Sequence, residues 1–534
     1  MGRGALGFLV LWLLIRSALV GASASLSLPA MDSYQKHVDE ECAFTRYPSP
    51  CVEILVGLDS GNQPIDFVST LLGHAISEAK LTHSDFAKFS SQFGAEDAKT
   101  ADSVAGYCQE LTKMSLGRLD QSLLALKQSP KKNKRDIQTW LSAALTFQQA
   151  CKDTADSLSV SEEFIVQLSK KMDYLSQLVS NPLALVNRIT GKSRNNKTRP
   201  LGQDQATFPK WVYARDRKLL QATTIKANAV VAKDGSGNYE TISKAIEAAS
   251  GKRFVIYVKS GVYREKIRTN KDGITLIGDG RYSTLVVGDD SVAKHTSLPA
   301  TATFTITGDG FIARDIGFQN TAGPQGQQAV ALSIASDHSV LFRCTISGYQ
   351  DSLYALALRQ FYRECDIYGT VDFIFGNAAA VFQSCNLILR RPHSGYNVIL
   401  ANGRNDPGQD TGFSIHKCNI RASSDFYPVK HSYNSYLGRP WKQYSRSVIM
   451  ESTIDDCIAS RGWIEWPGAS SSSLRTLYFA EYSNVGPGAR LSKRVQWPGF
   501  HAIGAEKAVE FTVANFIHGT SWLPPTGVTF ISGL

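Results

Sequence analysis

Two aspartates stand twenty-one residues apart in the stretch Ser347–Val381, each among aromatic and aliphatic side chains. Asp351 follows Gly348-Tyr349-Gln350, and Asp372 lies between Val371 and Phe373 with Phe375 close behind. A carboxylate in apolar surroundings loses hydration and gains nothing there unless something pairs with it. Two such groups one repeat apart suit a nucleophile and an acid/base, which points to a hydrolase. No Gly-x-Ser-x-Gly elbow occurs, which argues against a serine esterase. The histidines are scattered singly and the acids follow no coordinating spacing, so no metal is expected in the chemistry.

The elements around these residues are short and β-rich. SVLFRCTISG, QFYRECDIYG, AVFQSCNLIL and FSIHKCNI each place a cysteine before a polar and an aliphatic residue, and Cys344, Cys365 and Cys385 are spaced by 21 and 20. Strands recurring at that period without intervening helices predict a parallel β-helix whose coils stack. A β-sandwich would need hairpin turns every 8–12 residues or so, and the repeat lacks them.

The first half reads differently. Apolar residues recur every three or four positions from Ile65 to Ala79, Val104 to Leu126, Ile137 to Cys151 and Phe164 to Leu178. Four amphipathic helices with short connections predict an up-down bundle without catalytic chemistry. Cys108 and Cys151 lie on the stripes of two different helices and could staple them, while Cys42 and Cys51 could close the loop between them. At the N-terminus, Arg3, an apolar run from Leu6 to Ile15 and Ala22-Ser23-Ala24 form a signal-peptide pattern, with an uncleaved anchor as the alternative. Nine cysteines in an exported chain fit disulfides plus one leftover thiol. A polar, basic segment after Gly191 carries the sequon Asn196-Lys197-Thr198 and ends in Arg217-Lys218-Leu219-Leu220, a protease-site candidate in a linker. The net charge of +10 suits anionic polysaccharide, anionic lipid or nucleic acid as a partner.

The second half resembles the plant pectin methylesterases along about 300 residues. The resemblance is carried by Gly261-Val262-Tyr263-Arg264-Glu265, Gln328-Ala329-Val330-Ala331-Leu332, Gly348-Tyr349-Gln350-Asp351-Ser352, Gly369-Thr370-Val371-Asp372-Phe373-Ile374-Phe375-Gly376 and Leu437-Gly438-Arg439-Pro440-Trp441. The first half resembles the pectin methylesterase inhibitor domain, and Arg217-Lys218-Leu219-Leu220 is similar to the processing site of two-domain members. The resemblance implies a signal peptide at 1–24, a helical pro-domain at 32–188, a linker at 189–220 and a right-handed parallel β-helix at 221–534. It implies a secreted, monomeric cell-wall enzyme that hydrolyses C6 methyl esters of pectin. Neither cofactor nor nucleic acid is expected, and a processing protease and a proteinaceous inhibitor are the expected protein partners. Asp372 would be the nucleophile, Asp351 the acid/base, and Gln350 with Gln328 the donors to the oxyanion. Arg439 would hold Asp372 ionised by lowering its pKa, and Trp441 would stack on a sugar ring. Phe373 and Tyr349 could be packing or platform. Two departures stand out: Ser352 where the family usually has Thr, and Ser297-Leu298-Pro299 where many members carry a substrate-contacting Thr. For the β-helix cysteines, Cys365–Cys385 is the expected pairing and Cys385–Cys418 the alternative. Two other readings stay open: a β-helical polygalacturonase, which also pairs aspartates, and a non-enzymatic inhibitor whose active part is the bundle.

Overall fold

The period of about twenty residues becomes one turn of a coil. In a computed structural model that describes residues 28–57, 64–89, 95–156, 162–189, 226–393, 395–468 and 471–534, successive coils stack through three sheets of 11, 7 and 8 strands. The strands Ser339–Phe342, Thr345–Ser347 and Leu353–Ala355 make one coil, and Arg359–Arg363, Asp366–Gly369 and Ile374–Gly376 make the next. Their pairings are parallel and in register, Leu341 on Tyr362 on Phe382 on Ile415. These rows point inward and stack like on like. The Tyr362 and Phe382 rings lie 4.4 Å apart, nearly parallel, and all four residues are fully buried. Neighbouring Val340, Phe361 and Val381 point outward and are covered by Val513, Ile517 and Trp522 near the C-terminus. That cover explains how both faces of one sheet can be apolar.

The stack corrects the expected cystine. Cys365 and Cys385 are not joined, nor are Cys385 and Cys418; with Cys344 and Cys457 they carry free, buried thiols. At matching positions of successive coils side chains run side by side, whereas a disulfide needs them to converge. The Cys365 N–H instead donates to the Cys385 sulfur at 3.4 Å, and the Cys385 N–H to the Cys418 sulfur at 3.3 Å.

Six helices precede the stack among the described residues: α1 Leu28–Cys42, α2 Pro48–Gly57, α3 Pro64–Phe89, α4 Ala95–Gln128, α5 Pro130–Asp156 and α6 Glu162–Arg188. The last four cover the periodic segments. The two short N-terminal helices lacked a periodic signal long enough to read. Disulfides join Cys42 to Cys51 across the α1–α2 turn and Cys108 to Cys151 between α4 and α5, with Cα separations of 5.7 and 4.9 Å. The signal segment, Asn196 and Arg217, Lys218, Leu219 and Leu220 lie outside the described residues. No described helix is long and apolar enough to cross a membrane.

The thiol ladder can be counted directly. Alkylation in denaturant without reductant should label Cys344, Cys365, Cys385, Cys418 and Cys457 and spare the other four cysteines. A cross-linked peptide holding Cys365 and Cys385 would contradict it.

Candidate active site

Both aspartates occupy the turn between the 8-stranded and the 7-stranded sheet, in successive coils. Leu353 registers on Ile374, so Asp351 stacks one rung from Asp372, and the Asp351 N–H donates to Val371 O at 3.0 Å. Each has a left-handed backbone, φ 61° and 50°, a conformation that aspartate tolerates better than bulkier residues. Gln350 enters the same turn and bridges to Gln328 one coil earlier. Ser352 keeps the hydroxyl of the more usual threonine, donating it to Tyr349 O at 3.1 Å.

The fifth group arrives through the 7-stranded sheet. Tyr354, Phe375, Ala401 and Arg439 form one row across four strands, so Arg439 sits two coils beyond Asp372 and reaches back to it. Its Nε donates to Asp372 Oδ1 and Oδ2 at 2.8 and 3.1 Å, and Nη2 donates to Oδ2. Nη1 donates to the Tyr396 hydroxyl at 3.0 Å, and the guanidinium lies 4.2 Å from the Trp466 ring centroid. A guanidinium held on two sides is fixed in orientation as well as paired.

The two carboxyls are therefore unequal. Burial pushes Asp351 well above the usual carboxylate range, and the charge of Asp372 adds to the rise. Burial also raises Asp372, but the charge and hydrogen bonds of Arg439 oppose it. The net shift at Asp372 is upward, not downward as the sequence suggested, because dehydration outweighs the cation. The order survives: the unpaired Asp351 is the better proton carrier and Asp372 the readier anion.

Gln328, Gln350, Asp351, Asp372, Arg439 and Trp441 line one cavity of about 530 Å³, together with Leu298, Pro299, Lys442 and Trp466. Leu298 thus presents an apolar side chain toward the cavity. Trp441 lies 6.0 Å from Phe375 and 6.5 Å from Trp466 between ring centroids, half-buried in an aromatic wall packed against the buried cluster that holds Phe375. Phe373 is fully buried in the β-helix core, and Tyr349 has Arg390 over its ring at 3.8 Å; neither lines the cavity.

The remaining wall comes from the bundle. Ala150, Asp153, Thr154 and Asp156, the last turns of α5, close the cavity from above. One face of α5 runs along the β-helix. Thr139 donates to Asp410 at 3.2 Å, Ser142 O accepts from Gln409 at 2.9 Å and Thr146 accepts from Asn377 at 2.9 Å. Gln149 accepts from Asn405 at 2.7 Å, and Asp153 takes the Lys442 ammonium. Apolar contacts accompany these bonds, since bundle residues share one core cluster with Tyr354, Phe375 and Ala401. The sequence reading missed this docking, along with Tyr396, Lys442 and Trp466. A signal was present: Thr139, Ser142, Thr146, Gln149 and Asp153 recur at helical spacing as a second, uncharged-to-acidic stripe beside the apolar one.

The pectinesterase family profile matches residues 228–520, which include every cavity residue named above from the β-helix half. The chain belongs to the pectinesterase family. It is a carboxylic ester hydrolase, and its first half, residues 36–185, matches the plant invertase/pectin methylesterase inhibitor family. It is 49% identical over 533 residues to probable pectinesterase/pectinesterase inhibitor 54 of Arabidopsis thaliana, covering 97% of this chain and 96% of that protein. Pectinesterase 2 of Citrus sinensis is 44% identical over 517 residues, 96% of this chain and 97% of its own. The solved pectin methylesterase from carrot is 49% identical and aligns with a TM-score of 0.57 over 59% of this chain and 100% of its own.

The Asp372–Arg439 pair should behave as one unit. Arg439→Met strands a buried carboxylate and should destabilise the β-helix half by about 3–5 kcal/mol, while adding Asp372→Asn should recover much of that loss. Urea unfolding measures both, and energies that simply add across the two changes would show the groups to be uncoupled.

Proposed function

We propose that the cavity hydrolyses C6 methyl esters of pectin through Asp372 and Asp351 in unlike roles. The observation that carries this reading is the bidentate Arg439 contact to one aspartate and not to the other. Asp372, ionised, attacks the ester carbonyl carbon, and the carbonyl π electrons move onto oxygen. The Gln350 and Gln328 side-chain amides donate to that oxyanion, a contribution of about 2.7–4 kcal/mol per donor in comparable sites. Collapse expels methoxide, which takes the Asp351 proton and leaves as methanol. Asp351, now a carboxylate, removes a proton from water as the water attacks the acyl-enzyme; Asp372 departs as carboxylate and the galacturonate is released as the acid. Trp441 offers a flat face to the sugar ring.

The bundle serves as a removable cover. Ala150, Asp153, Thr154 and Asp156 stand against the catalytic residues, in space a polysaccharide would need. Export guided by residues 1–24 and cleavage after Leu220 in the linker would release an active β-helix half into the cell wall, with Asn196 available for a glycan. A separate inhibitor protein could use the same docking surface.

Methanol release tests the roles. Asp372→Asn should abolish it, because an amide cannot replace a carboxylate nucleophile, whereas Asp351→Asn should retain slow acylation with esters whose leaving groups need no proton. Gln350→Ala should lower kcat more than it raises KM. Wild-type rates from folded Asp372→Asn would remove the nucleophile, and new reducing ends in place of methanol would favour a glycosidase. The cover is tested by its removal: full-length protein should be nearly inactive until cut in the linker, and equal activity before and after cutting would overturn the inhibitory role. The acid limb of the pH profile should follow Asp372. Its anion is lost as pH falls through its pKa, and Arg439→Ala, by raising that pKa, should move the limb to higher pH.

A further inference from the structure

We propose that Asp309 and Asp337 form a recognition site through which the β-helix selects its own bundle, reading a guanidinium on α4 and an indole N–H on α5. This rests on the bundle being a removable cover, as read above, and not on the ester chemistry.

Asp351 and Asp372 precede strands of the 7-stranded sheet, whereas Asp309 and Asp337 follow the strands Phe304–Ile306 and Leu332–Ile334, at its opposite edge. Neither lines the catalytic cavity. Aspartates form a ladder along this edge. The Asp309 N–H donates to Asp272 Oδ1 at 2.7 Å, the Asp337 N–H to Asp309 Oδ1 at 2.8 Å, and the Arg359 N–H to Asp337 Oδ1 at 3.2 Å. Like charges repeated along one edge repel and call for cations. Arg359 answers Asp337 from within the β-helix, with Nε and Nη2 donating to its two oxygens at 2.9 and 2.7 Å. The guanidinium that meets Asp309 comes from the bundle. Arg118 of α4 donates through Nη1 to Oδ2 at 2.8 Å and through Nη2 to Oδ1 at 2.7 Å.

The bundle's side of the contact is equally fixed. Arg118 is buried, and its Nη1 also donates to Gln121 Oε1 at 2.9 Å, one turn farther along α4. From α5, Trp140 Nε1 donates to Asp337 Oδ2 at 3.3 Å, and Asp136 accepts from Arg359 Nη1 at 2.7 Å. The interface therefore sets a cation on Asp309, a neutral donor on Asp337 and an anion on Arg359. A helix pair displaced by one turn, or one lacking Arg118, would cover Asp309 without supplying that cation. Charge complementarity of this kind fixes register and rejects wrong partners, because like charges brought together across an interface are costly. A separate inhibitor protein fits this edge only if its helices offer the same cation, indole and anion.

The test uses full-length protein with a specific protease sequence in place of Arg217–Leu220, cut in solution and kept as the nicked pair. The readout is the dissociation constant of the two halves, from sedimentation across a dilution series. The Arg118 and Asp309 side chains are 10% and 35% exposed, which sets the expected loss at the lower end for truncating one partner of a buried charge pair. Arg118→Gln should raise the constant about 30-fold. Asp309→Asn, which keeps an acceptor for the Asp337 N–H, should raise it by a similar factor. The double variant should be little worse than either single one, since both changes remove the same contact. Arg118→Glu should loosen the pair further by placing like charges together. Circular dichroism of each nicked variant checks that both halves are folded. A constant unchanged in folded Arg118→Gln, or single factors that multiply in the double variant, would overturn the recognition site. Methanol release by uncut protein at the rate of the separated halves would instead remove the cover reading, with the contact between the halves still measurable.

Discussion

The site depends on keeping one ion pair out of water. Asp372 and Arg439 are 4% and 7% exposed, and dehydrating both is unfavourable unless their geometry is held and their remaining hydrogen-bonding groups are met. The coil stack supplies that holding. Register places Arg439 on the row of Tyr354, Phe375 and Ala401, and Tyr396 and Trp466 fix the guanidinium on its far sides. A slip of one residue in the strand Asn434–Pro440 would turn Arg439 toward the core and strand Asp372. Because only one aspartate is paired, the same contact makes two chemically identical groups unequal, and that inequality is what an acid and a nucleophile require.

The bundle builds on this arrangement from outside. Ala150, Asp153, Thr154 and Asp156 line the same cavity as the two buried carboxyls. Much of the docking runs through hydroxyl, amide and ionic contacts along α5, groups that water can satisfy on separation. A cover bound this way can be compatible with folding beside its partner and with leaving it.

Much of this was legible in the chain. The spacing of Cys344, Cys365 and Cys385 reported the coil period, and a turn residue repeated at that period must stack, so Asp351 and Asp372 could be placed together before any coordinates. The stripes of α3 to α6 reported the bundle. Arg439 is sixty-seven residues from Asp372, and only the motif around it suggested a partner; periodicity carries no information about which coil faces which side chain. The cysteine pairing failed because side chains stacked in parallel at matching positions of successive coils do not converge. The sign of the Asp372 shift failed because a sequence names the nearby cation and not the depth of burial. The docking of α5 was missed because its polar stripe shows that one face is not for the bundle core, but not which distant loops that face meets.

The central claim, that Asp351 holds the proton and Asp372 does not, can be observed by neutron diffraction from deuterated, full-length crystals near neutral pD. The account predicts a deuteron on the Asp351 carboxyl, none on Asp372, and a fully deuterated Arg439 guanidinium facing the bare Asp372 oxygens. A deuteron on Asp372 with Asp351 bare would contradict it.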